Sequence, residues 1–95
     1  MSQQGESKFK ERVLKDLKKV PNLYVLKTQE RSRRGVPDLL ICHKGKFIAI
    51  ELKVDGEKPT KLQDIKLKEI RLAGGLSFST TPSQWESHLE MLLAS

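Results

Sequence analysis

Two apolar runs, Leu39 to His43 and Phe47 to Val54, stand either side of Lys44-Gly45-Lys46, and nothing else in the chain constrains its fold as tightly. They read as the arms of a β-hairpin with a tight turn at Lys44-Gly45. A two-residue turn dictates the register: His43 faces Lys46, Cys42 faces Phe47, Ile41 faces Ile48, and the pairing continues until Asp38 lies opposite Glu51. Any symmetric loop of even length gives the same answer.

That register has a chemical consequence. Directly opposed residues have β-carbons about 4.5–5.5 Å apart, where like charges repel. Period-2 alternation puts Glu51 and Lys53 on one face, and Ile48, Ile50, Leu52 and Val54 on the other. Two carboxylates and an ammonium are thus expected to converge at one end of the hairpin. Carboxylates held so close either share a proton or bind a cation. A hard divalent ion is the simpler answer, with oxygen ligands from Asp38, Glu51 and a backbone carbonyl such as that of Leu52, in keeping with Mg²⁺ or Mn²⁺. The plain alternative is a surface salt bridge in which Lys53 neutralises one acid.

The rest of the chain supplies partners for this patch. From about Ser7 to Val20, Phe9, Val13, Leu14, Leu17 and Val20 recur at helical spacing, and Pro21-Asn22 ends the pattern. On a wheel of about 100° per residue with Phe9 at zero, Val13 falls near 40°, Leu17 near 80° and Glu6 near 60°, whereas Glu11 falls near 200°. Glu6 therefore either lies beyond the packed part of the helix as an N-terminal acid or approaches the patch as a third carboxylate. Leu23 to Thr28 is rich in strand formers, and Gln29 to Pro37 is a polar, basic loop. Asp55 to Pro59 is turn chemistry, and Thr60 can cap a helix running to about Ala73. Gln63, at the start of that helix, returns toward the end of the Glu51-Leu52-Lys53 strand, where its amide can orient a water or a phosphate oxygen, the alternative being an ordinary exposed helix glutamine. Leu76 to Thr80 is a short last strand. Ser83-Gln84-Trp85-Glu86 has capping-box form and opens a final helix through Leu93.

Charge points to the partner. Residues 1–34 hold ten Lys and Arg against four acids, which accounts for the whole net charge of +6 of this 95-residue chain. A localised basic zone that includes Arg31, Arg33 and Arg34 suits a polyanion, most simply a nucleic-acid backbone. Lys10 and Lys27 are weaker candidates for phosphate contacts, and a solvated helix face explains Lys15, Lys18 and Lys19 as well. No apolar run approaches the roughly 20 residues of a membrane helix, and Met1 to Glu6 lacks a secretory stretch, so a cytoplasmic address is the expectation. One cysteine, Cys42, excludes an internal disulfide. A core of this size is modest, and a dimer would be unsurprising.

The ordered set Gly35-Val36-Pro37-Asp38, Glu51-Leu52-Lys53 and Gln63 resembles the PD-(D/E)xK nuclease signature. More narrowly, with an acid-bearing first helix, a Lys58-Pro59-Thr60-Lys61-Leu62-Gln63 segment and a glycine before the last strand, the chain is similar to the VRR-NUC family (virus-type replication-repair nucleases) along nearly its whole length. The resemblance implies an α/β, restriction-endonuclease-like core with elements in the order α-β-β-β-α-β-α, a central mixed sheet flanked by helices, in a single domain over residues 1–95. It implies a Mg²⁺- or Mn²⁺-dependent endonuclease with Asp38, Glu51 and Lys53 as its central triad. Glu6 would match the acid of the first helix, and Gln63 the glutamine of the following one. The ion would be held by Asp38, Glu51 and the Leu52 carbonyl, with Glu6 in support. Stand-alone relatives are small phage and bacterial proteins, similar to Holliday-junction resolvases in forming homodimers and preferring branched DNA. Their cleavage leaves a 5′-phosphate and a 3′-hydroxyl.

Two rival readings use other residues. A non-catalytic nucleic-acid-binding module would need only the basic N-terminal third. A homodimeric interaction domain would use Trp85, Leu89, Met91 and Leu92 as its interface, although those residues fit a final helix packing on its own core better. Cys42 and His43 lack ligand spacing, so packing is expected for the thiol and a solvent-facing ring for the histidine. His88 has no partner in view.

Overall fold

The computed structural model describes residues 3–28 and 34–95. In chain order the described residues form α1 (Gln3–Lys18), β1 (Leu23–Lys27), β2 (Leu39–His43), β3 (Lys46–Leu52), α2 (Lys61–Leu72), β4 (Leu76–Thr80) and α3 (Trp85–Ala94). This is the expected α-β-β-β-α-β-α order, and the sheet is mixed. Its strands lie in the order β1-β2-β3-β4, with β1, β2 and β3 antiparallel and β4 parallel to β3. The parallel pair requires a crossover, which α2 provides.

Lys44 and Gly45 both take left-handed backbone angles, φ 54° and 77°. This is what a two-residue turn matched to the twist of its strands demands. The expected register results: His43 pairs with Lys46, Ile41 with Ile48 and Leu39 with Ile50.

The core lies between one face of the sheet and two helices. Phe9, Val13 and Leu17, spaced by four along α1, pack with Trp85 and Leu92 of α3 onto Leu39, Ile41, Ile48, Ile50 and Leu52. Helix α1 ends at Lys18, before Val20, and Asn22 at φ 58° turns the chain into β1. On the opposite face α2 buries Leu67, whose carbonyl accepts a hydrogen bond from Ser77 Oγ in β4. Arg71 donates to the Ser77 carbonyl at 3.2 Å. Among the described residues no helix is long and apolar enough to cross a membrane.

Three expectations need correction. His43 is buried, 6% exposed, while Cys42 is exposed. The alternation that sends Leu39 and Ile41 into the core sends His43 there too and turns Cys42 outward. No capping box opens α3: Gln84 precedes the helix without a side-chain cap, and Ser83 instead gives both its N–H and its hydroxyl to Asp55 Oδ1, at 3.2 and 2.8 Å. Trp85 and Leu92 lie fully inside the core, as expected of a final helix packing on its own domain. His88, for its part, has partners: Nδ1 lies 2.7 Å from Thr80 Oγ1, and its ring packs on Phe78 at 4.7 Å.

Candidate active site

A cavity of about 490 Å³ opens at the end of the hairpin away from its turn, lined by Glu6, Ser7 and Lys10 of α1, Asp38, Glu51, Leu52 and Lys53 of the sheet, and Gln63 of α2. Three segments distant in sequence meet there because the register ends there. Leu39 pairs with Ile50, so one step outward brings Asp38 opposite Glu51.

The Asp38 backbone is clamped by Thr28, the residue after β1. The Thr28 N–H donates to the Asp38 carbonyl at 3.0 Å, and the Thr28 hydroxyl donates to the Pro37 carbonyl at 2.8 Å. With its main chain held, Asp38 turns its side chain toward β3, where Oδ2 accepts the Leu52 N–H at 2.8 Å. The Lys53 N–H in turn donates to the Thr80 carbonyl at 2.9 Å, which extends the parallel pairing past the end of β3.

Glu51 is only 4% exposed. Its Oε2 accepts a hydrogen bond from Gln63 Nε2 at 2.9 Å and lies 3.7 Å from Lys53 Nζ. Its Oε1 is buried with no hydrogen-bond partner among the described residues. Burial pushes the Glu51 carboxyl up to about 8, the Asp38 carboxylate adds to the rise, and Lys53 opposes it. Lys53 therefore compensates the acid pair only in part, and the simple surface salt bridge does not describe this site: both partners are largely buried.

Gln63 is held at both ends of its amide. Its Oε1 accepts the Thr60 N–H at 2.8 Å and its own N–H donates to Thr60 Oγ1 at 3.2 Å, a complete capping box. One of the two N–H groups of its amide nitrogen donates to Glu51, so the amide orients a carboxylate.

The donor set suits a hard divalent cation. A buried carboxylate oxygen without a partner and a second carboxylate beside it are oxygen ligands, and Leu52 lines the same cavity. Among the described residues no group of three His, Cys, Asp or Glu gathers closely enough to share an ion. Glu6 lines the cavity but does not complete such a group. Lys10 lines the same cavity. Lys27 is exposed at the end of β1 and Arg34 lines a separate cleft, so neither enters the cavity. Arg31 and Arg33 lie outside the described residues. Ser7 and Thr28 were not anticipated: one lies a residue from Glu6, and the other acts by a clamp across strands that no local motif announces.

No family model matches the chain, and no curated protein matches it. A solved structure described as "VRR_NUC domain" superposes with a TM-score of 0.77 at 22% sequence identity, covering 90% of this chain and 95% of that one. At this identity the likeness establishes the fold: the chain is built as that domain is built, over almost the full length of both.

Proposed function

We propose that this protein is a divalent-metal-dependent endonuclease that hydrolyses phosphodiester bonds in DNA, with branched molecules such as four-way junctions as preferred substrates. The observation that carries the reading is the buried Glu51 carboxylate, one oxygen unpartnered, set beside Asp38 and Lys53 in an open cavity. The fold shared with a VRR_NUC domain supports the same chemistry.

Asp38, Glu51 and the Leu52 carbonyl would hold Mg²⁺ or Mn²⁺. Once bound, the ion supplies charge neutralisation at the phosphoryl group and lowers the pKa of the attacking water. The chain's own groups do the rest. The Lys53 ammonium donates a hydrogen bond that holds that water, and its charge offsets the charge that grows on the phosphate. Gln63 fixes the rotamer of Glu51. Glu6 supports the ion through water, and Lys10 meets a phosphate at the mouth of the cavity. Arg31, Arg33, Arg34 and Lys27 contribute phosphate contacts further out, which position the substrate without reading its sequence.

A homodimer would present two such cavities to the two strands of a junction, and sedimentation of the free protein tests that assembly. The competing reading, a non-catalytic nucleic-acid-binding module, draws on the basic N-terminal third. Incubation of wild type and Asp38→Asn with labelled four-way and linear DNA, in Mg²⁺, Mn²⁺ or EDTA, separates the two. Metal-dependent products from wild type alone support the nuclease, and binding without products in any metal supports the module.

A further inference from the structure

We infer that the cleft between the loop ahead of β2 and the middle of α2 binds a backbone phosphate of the same nucleic-acid strand whose scissile group occupies the catalytic cavity; the inference rests on the nuclease reading above. The cleft, about 420 Å³, is lined by Arg34, Val36, Pro37, Lys66, Glu69 and Ile70. Two cations and one acid face it.

Those cations differ in how free they are. Arg34 is exposed and pairs with no carboxylate among the described residues. Lys66 Nζ lies 3.7 Å from Glu69 Oε1, with the two side chains 42% and 62% exposed. An exposed i,i+3 pair at that distance contributes little, and a phosphate dianion or diester competes with it easily. A guanidinium fork beside an ammonium is a suitable donor set for phosphate oxygens.

Position ties the cleft to the catalytic cavity. Pro37, in its wall, is followed directly by Asp38, and Lys66 lies one helical turn beyond Gln63. The two sites therefore adjoin along both the loop into β2 and the first turns of α2, so a strand leaving one passes the other.

Gly35 keeps the loop in place. Its φ is +80°, and a Cβ there would stand 2.9 Å from Leu62 Cγ and 3.0 Å from the Leu62 carbonyl oxygen. Only a residue without a side chain lets the loop backbone seat on the first turn of α2. Arg34 is thus held against the helix that carries Lys66.

The test measures affinity for a fluorescein-labelled four-way junction by anisotropy in EDTA across a NaCl series, and cleavage kinetics in Mg²⁺. Arg34→Gln and Lys66→Gln should each weaken binding by about three- to tenfold and lower the salt slope by about one. In cleavage each should raise KM and leave kcat in place. Glu69→Gln should tighten binding, because it removes the one acid from the wall of the cleft. Lys68→Gln, an exposed lysine of α2 outside the cleft, is the control and should change little. Equal losses for Lys66→Gln and Lys68→Gln, or no gain for Glu69→Gln, would overturn the subsite while wild-type cleavage still upholds the nuclease. A wild type that cuts no DNA with either metal overturns the nuclease reading and takes the subsite with it.

Discussion

Gln63 donates its amide N–H to Glu51 across 2.9 Å while its amide oxygen is itself tied, at 2.8 Å, to the N–H of Thr60. A helix cap and a buried carboxylate are in this way joined through one side chain. The cap fixes the plane of the Gln63 amide, and one of its two N–H groups then points at the acid. The α2 N-terminus thereby serves the site as a mount, in addition to starting a helix.

Gln63→Glu separates these two duties. Glutamate at this position preserves the capping box, but it replaces the donor to Glu51 with a second negative charge. We expect the thermal midpoint of the metal-free protein near or modestly below that of wild type, and Mn²⁺ affinity reduced by about 10- to 100-fold, the usual scale for losing a group that orients a metal ligand. Calorimetric Mn²⁺ titration beside thermal unfolding followed by circular dichroism checks both.

The Glu51 carboxyl, raised from 4.5 to about 8, gives the metal-free protein a stability that depends on pH. Between those values the folded state binds the proton more tightly than the unfolded state. Stability is therefore fully present below about pH 4.5 and declines as pH rises through the interval. Urea unfolding in EDTA at pH 5, 6, 7 and 8 should show this decline in wild type, and Glu51→Gln should flatten it. An unchanged slope in the variant would assign the pH dependence to other groups.

Trp85 should matter for folding and not for association. It is fully buried, and its indole N–H donates to Asp16 Oδ2 at 2.8 Å. Trp85→Ala is expected to cost about 3–5 kcal/mol, whereas Met91→Ala, at a residue 41% exposed, should cost well under 1 kcal/mol. Denaturant titration measures both.

Thr28→Val tests the clamp on the Pro37 and Asp38 carbonyls. Loss of the hydroxyl should cost about 1 kcal/mol of stability. The larger effect is expected in cleavage, because Asp38 would lose the support that aims its carboxylate at the Leu52 N–H. Comparison of kcat with the unfolding midpoint distinguishes the two.

Much of the site was legible because a hairpin with a two-residue turn carries its register in its loop. Counting outward from Lys44-Gly45 sets Asp38 against Glu51 without knowledge of the other elements. The same parity places the His43 ring in the core, although its chemistry alone suits solvent. Helix α1 was readable from Phe9, Val13 and Leu17, and with it the approach of Glu6. Three features were not readable, because each depends on contacts between segments remote in sequence. These are the Thr28 clamp, the capture of Ser83 by Asp55 in place of a helix cap, and the donation of the Gln63 amide to Glu51. Capping-box spacing occurs at Ser83 and at Thr60 alike, and only tertiary partners decide which one forms.

The most direct test of the central claim, that Asp38 and Glu51 together hold a divalent ion for phosphodiester cleavage, is calorimetric titration of Mn²⁺ into wild type and Asp38→Asn, followed by incubation of each with a four-way junction. Wild type should bind Mn²⁺ and cut the junction, and the variant should keep its circular dichroism spectrum while losing both. Mn²⁺ binding and cleavage by Asp38→Asn equal to those of wild type would contradict the account.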